Sequence, residues 1–112
     1  MGALSRRKGH NWEREVARLF QAACPGDDIR RGLQYRDGAE CPDVVSAMFW
    51  IEAKRGKKTN IKAAIRQAEE AQPKGKWILA VTKDDREAAV ASMRLDDFLD
   101  LIREFWEMRN MS

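Results

Sequence analysis

Asp43, Glu52 and Lys54 are the residues whose types and spacing could do chemistry together. Asp43 stands at the entrance of the uncharged run VVSAMFWI (residues 44–51), and Glu52 and Lys54 stand at its exit. If that run is a hairpin, both carboxylates arrive at one end of a sheet. Converging carboxylate oxygens suit Mg²⁺, a hard cation that keeps several waters and shares its shell with substrate phosphate. Glu52 and Lys54 lie two apart, so on a strand their side chains leave the same face. A lysine there could orient or deprotonate a water and offset charge developing on phosphorus. Together these are the parts of metal-assisted phosphodiester hydrolysis. Each also has an ordinary alternative: Pro-Asp opens turns, and Glu-x-Lys is a common cross-charge on an exposed strand. Two further residues could join them. Glu13 borders an apolar helical stripe and could point to the sheet end, or could be a first-turn acid favoured by the helix dipole. Gln67 lies beside the inward face of a later helix, where an ordinary polar residue would also fit.

The elements that must position these groups follow from periodicity. Residues 11–24 predict a helix with Asn11 as cap and Trp12, Val16, Leu19, Phe20 and Ala23 on its apolar face, ended by Pro25-Gly26. Residues 28–36 predict an exposed or bent strand, followed by an Asp37-Gly38 turn. Two strands, about 43–48 and 49–55, form the hairpin around Ala47–Phe49. A helix over 60–72 places Ile61, Ala64, Ile65 and Ala68 inward, and KWILAVT (76–82) reads as a buried strand. A short helix over 84–91 and a brief extension at Met93–Leu95 follow. A last amphipathic helix from near Asp96 carries Phe98, Leu101, Ile102, Phe105 and Trp106, for the core or an interface. The sum is an α/β chain, a mixed sheet flanked by helices.

Composition narrows the function. With 112 residues, 44% hydrophobic and 35% charged, the chain predicts one globular domain over 1–112 and not a disordered one. Its longest apolar run is far shorter than a membrane span of roughly 20 residues. The basic N-terminus leads into no apolar segment, as a secretory signal would. Two cysteines and one histidine cannot supply the four ligands of a structural zinc site, and Cys24 and Cys41 read as reduced thiols. The net charge of +3 is unevenly spread: residues 1–62 hold 13 Lys/Arg against 8 Asp/Glu, and residues 84–112 hold 4 against 8. The positive excess accompanies the charged constellation, which suits a polyanion such as nucleic acid.

PD at 42–43, E-x-K at 52–54 and QAEEA at 67–71 resemble the PD-(D/E)xK nuclease superfamily. Within it, RKGHNWEREVARLF (7–20) resembles the opening of archaeal-type Holliday junction resolvases and their phage relatives. The similarity covers about residues 6–82. It implies a restriction-endonuclease-like core of order α-β-β-β-α-β and a Mg²⁺-dependent endodeoxyribonuclease, with Mn²⁺ able to substitute. It also implies Asp43, Glu52, Glu13 and the Ala53 carbonyl as metal ligands and Lys54 as the catalytic lysine, with Gln67 auxiliary. Arg6, Arg7, Lys8, Arg30, Arg31 and Arg55 would bind DNA. The implied assembly is a homodimer on branched or duplex DNA, in the cytoplasm of a phage-infected or prokaryotic cell. Another nuclease of the superfamily, of repair or restriction type, and a non-cleaving nucleic-acid-binding module are the alternatives.

Overall fold

The structure is a computed structural model; it describes the backbone of residues 2–32, 35–36, 39–71 and 73–111 and the side chains of 9–32, 41–71 and 73–111. Helix α1 (Gly2–Ala23) is followed by the short strands β1 (Arg30–Arg31), β2 (Tyr35–Arg36), β3 (Ala39–Glu40) and β4 (Val44–Val45). Then come β5 (Phe49–Gly56), α2 (Ile61–Glu70), β6 (Trp77–Asp84), β7 (Val90–Ser92) and α3 (Leu95–Arg109). The main sheet has the order β1-β4-β5-β6-β7, with β5 and β6 parallel and the other pairs antiparallel; β2 and β3 form a separate ribbon. It is the expected α/β architecture, a five-stranded mixed sheet flanked by helices.

Strand β5 sets the layering, because its side chains alternate between two cores. Phe49, Ile51 and Ala53 face α1 and pack with Trp12, Val16, Val44, Leu79 and Val81. Trp50 borders the opposite core of Ala64, Ile65, Ala68, Ile78 and Ala80, which α2 covers. Glu52 and Lys54 share the Trp50 face by the same alternation. Parallel strands cannot be joined by a tight turn, so α2 is the crossover between β5 and β6. It starts where Asn60 accepts a hydrogen bond from the Ala63 amide at 3.0 Å, a cap contributing about 1 kcal/mol. Helix α1 is pinned by Trp12, whose buried indole N–H donates to the Val81 carbonyl at 3.2 Å.

Several expected elements differ. Helix α1 begins at Gly2, so Asn11 is not a cap and its side chain accepts from Arg14 instead. Ala17 is buried on its inner face, whereas Leu19 and Ala23 are exposed. Only Arg30–Arg31 of the 28–36 segment joins the main sheet; the Asp37-Gly38 turn lies outside the described residues. The helix expected over 84–91 is absent: a turn with Arg86 at φ 66 leads into β7, which pairs with the otherwise open edge of β6. Cys24 and Cys41 are not joined in a disulfide. No described helix is long and apolar enough to cross a membrane.

Candidate active site

Register places the charged groups. Val44 pairs with Ile51, so the next residue out, Asp43, stands across from Glu52 where β4 ends and β5 continues. The Asp43 backbone is fixed from its other side, where its carbonyl accepts from the Gly32 amide at 2.9 Å. The chain passes so close here that a Cβ on Gly32 would lie 1.9 Å from the Pro42 carbonyl oxygen. Any other residue at 32 would push the Pro42–Asp43 backbone away.

Asp43 Oδ2 accepts a hydrogen bond from the Ala53 amide at 2.9 Å. A residue's N–H and C=O point to the same side of an extended strand, so the Ala53 carbonyl also faces Asp43, beyond the end of β4. Glu52 is only 3% exposed. Its Oε1 accepts from the Trp50 indole at 2.9 Å, two residues back on the same face, while its buried Oε2 has no hydrogen-bond partner. Lys54 Nζ lies 3.8 Å from both Asp43 Oδ2 and Glu52 Oε2. The ammonium therefore bridges the two carboxylates without closing a tight hydrogen bond to either.

Glu13 approaches from α1. It sits well inside that helix, not in its first turn, so a role at the helix dipole no longer accounts for it. Its Oε2 accepts from Arg31 Nε at 3.1 Å. Burial, and then the Asp43 charge, raise the Glu13 carboxyl above its ordinary range, against the pull of Arg31 and His10. Burial and Asp43 likewise push Glu52 up to about 7, opposed by the Trp50 hydrogen bond and Lys54. Burial and the neighbouring Asp43 thus disfavour the charged forms of both glutamates. Among the described residues no three His, Cys, Asp or Glu side chains close into a metal cage; Glu13 is held at the edge by Arg31.

The other expected residues fall around this centre. Gln67 is exposed and lines, with Lys54, Lys58, Thr59 and Asn60, a cleft of about 300 Å³ between the end of β5 and α2. The loop forming one wall is tied to β6 by Asp84, which accepts from the Thr59 amide at 2.7 Å and hydroxyl at 2.6 Å. Arg55, by strand alternation, faces away from Lys54 and lies 4.0 Å from Asp85. Arg30 is turned to Asp28. Arg31, expected to bind DNA, reaches the Glu13 carboxylate from β1. The side chains of Arg6, Arg7 and Lys8 lie outside the described residues. Trp50 and Gly32 did not stand out in the sequence. For Trp50 the available signal was its i, i+2 spacing to Glu52 with an indole N–H that needs an acceptor.

A stability prediction follows from Glu52. Between its ordinary value of 4.5 and about 7, folded Glu52 keeps a proton that the unfolded chain has lost. The folded state binds more protons there, so stability falls as pH rises through that window. Glu13 acts in the same direction. Glu69 and Asp84, whose carboxyls are lowered by Arg94 and Thr59, lose their contributions only at more acid pH. In chelator the protein should melt at higher temperature at pH 5.5 than at pH 8. At about 1.4 kcal/mol per unit, the Glu52 shift amounts to something on the order of 3 kcal/mol. Glu52→Gln should flatten this dependence; an unchanged slope would assign it to other groups.

No protein-family model and no curated protein sequence matches the chain. Among solved structures it is similar to Archaeoglobus fulgidus Hjc, a Holliday junction resolvase from an archaeal hyperthermophile, with a TM-score of 0.56. The two are 21% identical, and the match covers 76% of each chain. The fold is therefore the one found in that archaeal resolvase, in agreement with the resemblance carried by residues 7–20, 42–43 and 52–54.

Proposed function

We propose that the chain is one nuclease domain, a metal-dependent, structure-selective DNA endonuclease that acts as a Holliday junction resolvase. The observation that carries this is the convergence of Asp43, Glu52 and Lys54 where β4 ends and β5 continues, with the buried Oε2 of Glu52 lacking a hydrogen bond. A buried carboxylate oxygen without a hydrogen bond costs stability unless something binds it. A second carboxylate and a carbonyl on the same side make a hard-oxygen donor set that fits Mg²⁺ or Mn²⁺. Asp43, Glu52 and the Ala53 carbonyl would hold the ion, and Glu13 would complete the set on release from Arg31. Bound there, the metal supplies a Lewis acid for a phosphate oxygen and lowers the pKa of a bound water.

The chain's own residues do the rest. Trp50 fixes the Glu52 carboxylate by its indole N–H, and the Ala53 amide fixes Asp43, so both keep their aim as charge changes nearby. Lys54 stands 3.8 Å from each, placed to orient the attacking water and offset charge on the phosphorane. Water adds to phosphorus as the P–O bond to the leaving oxygen breaks, and a proton of that water passes through solvent to the leaving oxygen, which yields a phosphate monoester end and a hydroxyl end. Arg31, beside Glu13, would offer a phosphate a guanidinium. The cleft beside Lys54 and Gln67, with Lys58 on its wall, gives the DNA backbone a cationic path.

The test is a labelled four-way junction, a linear duplex and a flap, each incubated with and without Mg²⁺. The junction should be cut in Mg²⁺ or Mn²⁺, poorly in Ca²⁺, whose looser coordination positions water badly, and not in chelator. Robust cleavage in excess EDTA would remove the metal mechanism. Equal cutting of linear duplex would make the protein a general nuclease of the superfamily, and binding without cutting a nucleic-acid-binding module.

A further inference from the structure

The two oxygens of Glu52 are held unequally. The Trp50 indole N–H donates to Oε1 at 2.9 Å, whereas Oε2 is buried without a hydrogen bond and has Lys54 Nζ 3.8 Å away. Neither partner of the indole bond is free to swing away. Trp50 packs against the core that α2 covers, and the Glu52 side chain is 4% exposed. The two residues stand i, i+2 on one face of β5, so the strand itself sets their spacing. An indole has one donor and no acceptor. Turned off Oε1, that donor would be left without a partner, at a cost in free energy.

This asymmetry bears on which cation the site can hold, an inference that rests on the metal set proposed above. Mg²⁺ requires a near-ideal octahedron of oxygens at about 2.0–2.1 Å. The two oxygens of one carboxylate stand too close together to take two of its corners. Mg²⁺ therefore asks Glu52 for a single oxygen, and Oε2 is the one left open. Ca²⁺ is larger, takes about 6–8 oxygens and commonly draws two of them from one carboxylate. At Glu52 the second oxygen already accepts from Trp50. The indole draws on the charge of that oxygen and fixes the rotation of the carboxyl plane. Chelation by both oxygens has to weaken or break the indole bond, and one-oxygen ligation does not.

We propose that the Trp50 indole makes Glu52 a one-oxygen ligand and thereby sets the preference of the site for Mg²⁺ over Ca²⁺. Trp50 is a positioning residue, since it acts through Glu52. Ion binding to the full chain without DNA is read at pH 8, where Glu52 is ionised, from the EPR signal of free Mn²⁺ as Mg²⁺ or Ca²⁺ displaces it. Trp50→Phe keeps the apolar packing and lacks the N–H. It should raise the affinity for Ca²⁺ relative to Mg²⁺ about tenfold, the scale of one hydrogen bond to a charged group, with Mg²⁺ affinity nearly unchanged. Trp50→Met, whose flexible side chain can fill the same space, should do the same. Trp106→Phe, which removes an exposed indole on α3, should leave the ratio as it is. An unchanged ratio in the Trp50 variants, or Mg²⁺ and Ca²⁺ weakened together, would reduce Trp50 to a packing residue and overturn the proposal. Glu52→Gln tests the underlying metal reading separately, because it should abolish Mn²⁺ binding. Mn²⁺ still held by that variant would overturn the assignment of Glu52 as a ligand, and the proposal with it.

Discussion

Glu52→Gln is expected to stop cleavage of a four-way junction while leaving junction binding intact or tighter. The amide keeps the size of the side chain and can still accept from the Trp50 indole, so the 2.9 Å contact that positions it survives. What disappears is the charge beside Lys54 and Asp43, and with it the donor that a divalent cation needs. The loss should be about 10²–10⁴-fold in rate, the scale of removing a positioned catalytic group. Binding should not suffer, because a carboxylate at a phosphate site repels the substrate. Asp43→Asn should behave alike, although the Ala53 amide loses an anionic acceptor. Single-turnover cleavage together with an equilibrium binding curve separates the effects. Near wild-type cutting by either variant would show that the site lies elsewhere.

Glu13 is where a structural and a chemical role diverge most. If it serves only to pair Arg31, at 3.1 Å and half-buried, then Gln, which can still accept from the guanidinium, should be tolerated in every assay. If it is the third carboxylate of the metal set, Glu13→Gln should lower cleavage by about 10²-fold or more. The fold should stay intact and even gain a little stability without metal, because burial and Asp43 both disfavour its charge. Glu15 is the control: it is exposed, and two residues on it points about 200° away. Its change to Gln should leave cleavage near wild type. Melting temperature and junction cleavage, measured side by side for both variants, decide the matter; equal activities would return Glu13 to a structural ion pair.

The contrast between these residues marks what the amino-acid sequence determined and what needed the tertiary structure. Local period and punctuation were enough for β5, α2 and β6. Alternation along FWIEAKRG, an Asn cap with an inward Ile-Ala-Ile-Ala face, and a buried Ile-Leu-Ala-Val run each have one physical solution. A short hairpin between Asp43 and Glu52 then leaves little choice about where the carboxylates meet, so their convergence with Lys54 was legible.

Local pattern failed where a distant partner decides. The start of α1 was hidden because its first turns, around SRRKGH, carry no apolar period. Residues 84–91 hold three alanines and read as helix, yet the unpaired edge of β6 offers Val90–Ser92 a ladder, and pairing overrides propensity. Arg31 reaches Glu13 only because β1 lies against β4, and β1 contributes just two residues to announce itself. The carboxyl of Glu52 is raised to about 7 by burial beneath α2 and by Asp43, quantities with no counterpart in residue order. The orientation of α3 belongs to the same class. Its amphipathic period was plain from the sequence, but a period says only that two faces differ. Which one turns to the body is decided by what each can meet in three dimensions, and here the charged face meets Lys76.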